Sequence, residues 1–259
     1  MDAPLLVARS GRTLTLTLNR PERRNALSPA LVAGLTAAVA AAADDAEVGC
    51  IVLRGAGGRF CAGGDLGGEG LADGGVLARE AAARAYADLL DTVVRSPVPV
   101  LAAVAGDALG GGLGLAAACH LAIAGDDARF GTPELNLGLF PMVIGPLLAR
   151  HLPPHVLHAM ILLDRRIGAD EALRWGFVGE VCPAGSLDAR AEALAAQVAA
   201  RPRGVVGLGL RALAEARELP LTPAMGRMAS ALALNLLADD AAEGLAAFFG
   251  RRPAVWTGR

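Results

Sequence analysis

Aromatic side chains are scarce in this chain, with 6 Phe, 2 Trp and 1 Tyr among 259 residues. Its core must therefore be closed by aliphatic side chains and by close backbone approach, which abundant Ala and Gly permit. No block of like charge occurs, and the formal net charge is −2. That argues against a general nucleic-acid binder, which should show a basic face. Arginine dominates the basic residues, and these are scattered as on a solvated mixed-charge surface. Cys50, Cys61, Cys119 and Cys182 lie far apart without C-x-x-C spacing, so no zinc or thioredoxin signature is present. His151, His155 and His158 surround Pro153-Pro154, which breaks the helix an i,i+4 pair would need, and no metal site is expected. The N-terminus runs into a polar turn with no signal-peptide pattern, and free thiols in the cytoplasm are expected. Residues 108–125 carry no Asp, Glu, Lys or Arg over a length that could span a bilayer. Five glycines and His120 interrupt that stretch, so a buried turn and core helix are expected in place of a membrane span.

Leu5–Arg9 and Thr13–Leu18, separated by Ser10-Gly11, read as a β-hairpin. Ser28-Pro29 reads as an N-cap followed by Pro at the first helical position. Leu31, Leu35 and Val39 then form one apolar helix face. Ile51–Arg54 is a short strand, Gly67–Gly75 a flexible loop, Leu77–Arg95 a helix, and Val98–Val104 and Leu121–Ala124 are buried strands. This alternation indicates an α/β architecture over residues 1–185, followed by a helical region over 186–259 with breaks near Pro202 and Pro220.

Three segments carry candidate chemistry. Phe60–Leu66 (FCAGGDL) and Ala105–Ala116 (AGDALGGGLGLA) are Gly-rich turns after predicted strands, and the second opens a helix. Free N–H groups at such turns favour negative charge, and two converging turns would form an oxyanion hole. The third segment, Phe130–Pro141 (FGTPELNLGLFP), presents Glu134 among apolar neighbours, where a raised pKa would suit proton transfer at carbon. Gly112-Leu113-Gly114-Leu115-Ala116-Ala117 also matches a dinucleotide-binding turn. That motif needs an acidic residue about 20 positions further on, and Asp126 and Asp127 come too early.

Together these segments resemble the enoyl-CoA hydratase/isomerase (crotonase) family. Asn19–Leu27 (NRPERRNAL), Arg165–Val181 (RRIGADEALRWGFVGEV) and Glu243–Trp256 (EGLAAFFGRRPAVW) extend the resemblance, giving six motifs in order. It implies a spiral of ββα units of the ClpP/crotonase type with a C-terminal helical region that builds a homotrimer or a hexamer. It implies an acyl-CoA substrate whose coenzyme A is part of that substrate, with no further cofactor. It places the oxyanion hole on the N–H groups of Gly64 and Gly111. It puts Arg24, Ala26, Ala62, Asp65, Leu66, Gly110 and Pro133 along the CoA and pantetheine path. Arg251 and Arg252 are expected on a solvated surface.

Two departures matter. The family's hydratases carry one glutamate after the loop proline and another two residues beyond the GGG turn. Glu134 fills the first position, but the second is Gly114. The absent side chain is expected to leave room beside the reacting carbons, for a bulky acyl group or for a carboxylate from Asp65, Glu69, Asp73 or Glu80. With one carboxylate, double-bond isomerisation is expected ahead of hydration, and a degenerate acyl-CoA-binding member is the non-enzymatic alternative. The second departure is His120, which stands where the family usually has Asp and is expected to be a satisfied core or turn histidine.

Overall fold

The computed structural model describes residues 3–65 and 75–258. Strands β1 (Leu5–Ser10) and β2 (Thr13–Leu18) form the expected antiparallel hairpin, closed by Gly11 at positive φ. Helix α1 (Pro29–Asp44) starts where Ser28 Oγ accepts from Leu31 N at 3.3 Å, with Pro29 in the first turn. Strand β3 (Cys50–Gly55) follows, then α2 (Val76–Val94), β4 (Val100–Val104) and β5 (Asp107–Leu109). Next come α3 (Gly111–Ala118), β6 (Leu121–Gly125), β7 (Arg129–Gly131), α4 (Gly145–Leu148) and α5 (Pro154–Leu162). β8 (Ile167–Gly168), α6 (Ala169–Arg174) and β9 (Glu180–Cys182) complete the sheets. Helices α7 (Leu187–Ala199), α8 (Arg203–Ala216), α9 (Leu221–Asn235) and α10 (Asp239–Phe249) complete the chain, with breaks at Pro202 and Pro220.

The larger sheet runs β1-β2-β3-β4-β6-β9 and is parallel beyond the hairpin. The smaller runs β5-β7-β8. Strands buried on both faces read as continuous apolar runs, and here alternate residues serve two cores. Ile51, Leu53, Ala102 and Val104 pack toward α1, α2 and α3. Cys50, Val52, Leu101 and Ala103 pack against Leu187, Ala191, Ala195 and Ala199 of α7. The first helix of the C-terminal region thus covers one face of the sheet. Among the described residues no helix is long and apolar enough to cross a membrane.

Asn25 locks the segment that precedes α1. It is fully buried at φ 56, a left-handed conformation that Asn tolerates. Its Oδ1 accepts from Arg20 N at 3.0 Å, and its Nδ2 donates to Ala56 O at 2.9 Å and Arg59 O at 2.7 Å. Asn25→Ala leaves these three backbone groups without their partner. We expect a loss of about 3 kcal/mol or more in urea denaturation.

His120 carries a second consequence. The expectation of a satisfied histidine is corrected: Val100 N donates to its Nδ1 at 3.1 Å, but its Nε2 is buried without a partner among the described residues. Burial lowers its pKa to about 4. Between that value and the unfolded histidine's, about 6.5, the unfolded chain binds more protons, so stability falls as pH drops through this window. The contribution is at most about 3 kcal/mol. His120→Asn is expected to flatten the difference in denaturation midpoint between pH 7 and pH 4.5.

Candidate active site

Three loops meet at the N-terminus of α3. The turn at 60–65 is tied to the neighbouring segments by backbone bonds: Cys61 N to Asp107 O at 3.0 Å, Leu109 N to Cys61 O at 2.9 Å, and Leu27 N to Gly63 O at 2.8 Å. A Cβ on Gly112 would lie 2.3 Å from Cys61 O, so the two turns pack with no room for a side chain there. A Cβ on Gly63 would lie 3.3 Å from Gly111 N, which sets the two turns side by side. Gly110, at φ 50, bends the chain into α3, and its N–H donates to Gly131 O at 2.9 Å. That bond brings in the third loop.

Neither Gly64 N nor Gly111 N donates to another described residue. Gly64 is exposed and Gly111 half-buried. Gly111 is also the first residue of α3, where the helix leaves its amides free and its dipole favours negative charge. Two such donors aimed at one point are what an oxyanion hole requires.

Glu134 sits on a 3₁₀ turn, Pro133–Leu137, next to this point. A Cβ on Gly110 would lie 3.0 Å from Glu134 Oε1, which places the carboxylate against the turn. Its Oε2 is buried without a partner among the described residues. Burial raises its pKa above the ordinary value. The residue's own backbone N–H opposes this, and the nearby Asp164 carboxylate adds to it. Asp164, at φ 48, accepts from Asn136 Nδ2 at 2.7 Å. It was not among the sequence candidates, although it stands one residue before the Arg165–Val181 motif.

The expectation of open room at Gly114 is corrected by the structure. A Cβ there would lie 2.2 Å from Ile144 Cγ2 and 2.7 Å from the Tyr86 hydroxyl oxygen. Ile144 and Tyr86, from an α3-facing loop and from α2, take up the space. Nothing in their sequence neighbourhood announces this. The candidate carboxylates fare no better. Asp65 is buried and bound by Arg20 Nη2 at 2.7 Å, so it does not swing into the site. Glu80 is exposed and paired with Arg84 at 2.6 Å one helical turn away. Glu69, Asp73 and Leu66 lie outside the described residues, as does most of the expected loop at Gly67–Gly75.

Of the remaining path residues, Arg24 is exposed and its carbonyl accepts from Ala62 N at 3.0 Å. Ala26 and Ala62 are half-buried, and the Ala26 carbonyl accepts from Arg20 Nη1 at 2.6 Å. Arg252 is engaged with Glu243 at 2.6 Å, and Arg251 is exposed.

This architecture is the crotonase fold. A solved enoyl-CoA hydratase from Mycobacterium smegmatis superposes with a TM-score of 0.94 at 34% identity, over 98% of this chain and 99% of that one. Human enoyl-CoA hydratase domain-containing protein 3 superposes with a TM-score of 0.92 at 30% identity, over 98% of this chain and 100% of that one. The family model described as enoyl-CoA hydratase/isomerase matches residues 9–259. The 2,3-dehydroadipyl-CoA hydratase of Escherichia coli is 33% identical over 256 residues, 98% of this chain and 99% of that protein. The chain belongs to the enoyl-CoA hydratase/isomerase family, enzymes that act on CoA thioesters.

Proposed function

We propose that this protein isomerises the double bond of an enoyl-CoA, with Gly64 and Gly111 N–H holding the thioester oxygen and Glu134 moving the proton. The observation that carries this reading is the filling of position 114 by Ile144 and Tyr86, which leaves no place there for a second carboxylate. Glu134 takes a proton from C2 of a 3-enoyl-CoA. The electron pair moves into the conjugated thioester and the charge rests on the oxygen, between the two N–H donors. Glu134 then returns the proton at C4, giving the 2-enoyl-CoA. Water addition would need a second group to orient water, and a carboxylate at 114 would be that group. The reading needs no metal and no redox cofactor, because the proton is taken and returned by one carboxylate. Arg24, Ala26, Ala62, Asp65, Leu66, Gly110 and Pro133 are proposed to line the CoA path.

Hydration of a 2-enoyl-CoA is the second reading, supported by the hydratase names of several relatives and by the closeness of Asp164 to Glu134. One paired assay separates the two. Supplied with a 3-enoyl-CoA, the protein is expected to give an isomer without mass gain. Supplied with the 2-enoyl-CoA, it is expected to add water slowly or not at all. Fast gain of water would transfer the assignment to hydration, and binding without turnover would transfer it to a non-catalytic acyl-CoA binder.

Glu134 must be ionised to accept the proton. Its raised pKa therefore predicts that kcat/KM rises with pH through a midpoint above the ordinary glutamate value of about 4.3. A pH–rate profile of the isomerisation checks this.

We also propose that the chain works as a homotrimer or a pair of stacked trimers in the cytoplasm. Leu221, Met225, Leu236, Leu237, Phe248 and Phe249 of the C-terminal region are exposed in the single chain. Apolar surface of that extent is normally covered by a partner. Light scattering reads the state directly.

A further inference from the structure

The single tyrosine of the chain stands at this site. Tyr86 lies on α2 one turn before Leu90, on the stripe formed by Leu89, Leu90 and Val93. An apolar residue would continue that stripe. Instead the phenol reaches across the first turn of α3 and its O–H donates to the Gly111 carbonyl. A Cβ on Gly111 would lie 3.4 Å from both Tyr86 Cζ and the hydroxyl oxygen, and a Cβ on Gly114 2.7 Å from that oxygen. The phenol therefore overlies the residue whose amide is the proposed oxyanion donor, on the side where a residue-114 carboxylate would stand.

We propose that Tyr86 is a positioning residue for proton transfer: its hydroxyl fixes the Gly111 end of α3 and, with Ile144, replaces the second carboxylate by a neutral wall. Glu134 interacts electrostatically with the phenol, so the two groups share one environment. Burial above all, with Cys61 and Glu134 adding, raises the phenol pKa well above 10, and it stays neutral wherever Glu134 works as a base. With its proton given to Gly111, the oxygen offers only lone pairs. It can hold a hydrogen bond but takes no proton in turnover. The Gly111 carbonyl already lies within a helix, and a carbonyl has two lone pairs. The added bond is therefore not required to satisfy it, and it holds the turn in one orientation against the charge that develops beside it.

This inference rests on the proposed enolate chemistry, and the test separates the two. The full chain and its Tyr86→Phe variant are compared in α-proton exchange of a saturated acyl-CoA in D2O, in 3-enoyl-CoA isomerisation, and in thermal unfolding. The variant keeps the ring and loses the hydroxyl. We expect kcat to fall about tenfold in both reactions, because the amide that meets the developing charge is no longer held in place, with KM within about twofold and the unfolding midpoint nearly unchanged. Unchanged kcat overturns the positioning role and leaves the enolate reading standing. A joint loss of kcat, substrate binding and folding also overturns it, since the hydroxyl would then be only structural. If the parent chain neither exchanges nor isomerises, the enolate reading fails and the Tyr86 role fails with it.

Discussion

Glu134→Gln is expected to lower isomerisation by about 10²–10⁴-fold, the usual contribution of a positioned general acid–base, while acyl-CoA binding stays close to that of the parent. The amide keeps the shape of the carboxylate but takes no proton from carbon. The same change is expected to raise thermal stability. Glu134 carries a raised pKa because burial and Asp164 both disfavour its charge. An acid of raised folded pKa costs stability at every pH where it is ionised, so stability falls as pH rises through that pKa. A neutral side chain removes the cost. Loss of turnover with a gain in unfolding midpoint at neutral pH is the pattern of a group held strained for function. Retained turnover in Glu134→Gln would refute the assigned role, and a lower midpoint would refute the account of its environment. Single-turnover kinetics and scanning calorimetry on one preparation give both readings.

Gly114 makes the second strong case, because two local rules predict opposite signs. By helix propensity, Gly114→Ala within α3 should stabilise by about 0.8–1 kcal/mol. The structure predicts a loss. The new Cβ would meet Ile144 Cγ2 at 2.2 Å and the Tyr86 oxygen at 2.7 Å, and that oxygen is held by Gly111. Overpacking of a filled core costs about 1–3 kcal/mol, so the net change is expected to be destabilising. Denaturant midpoints decide the sign. Gly114→Glu alone is accordingly expected to destabilise further and to add no hydration. Paired with Ile144→Ala, which clears the nearer contact, it becomes the fair test of whether a second carboxylate confers water addition. A stable, hydrating Gly114→Glu single variant would mean that Ile144 moves aside freely and that position 114 was open.

The converging turns were legible because their constraints are local. Close approach at Gly112 and positive φ at Gly110 each require glycine, and both requirements leave a mark at fixed positions in the sequence. The strands were legible as short apolar runs between turn residues, and α1 from Ser28-Pro29 and its apolar stripe. Asp65 shows the opposite case. As a residue type it could have been a spare carboxylate, but Arg20, 45 positions earlier, binds it. His120 is intermediate: its place in a turn could be read, whereas the bond from Val100 and the Nε2 left without a partner among the described residues could not.

The sequence alone determined the alternation of strands and helices through β6, the two glycine turns, the loop glutamate, and the absence of a side chain at 114. What only the tertiary structure decided is what fills that absence. A missing side chain reads as space, yet interiors pack densely and a neighbour from elsewhere in the chain closes the gap. Here the neighbours are Tyr86, from the preceding helix, and Ile144, from beyond the loop that carries Glu134. Helical periodicity reports which face of α2 is apolar, but it carries no information on which distant turn that face will meet.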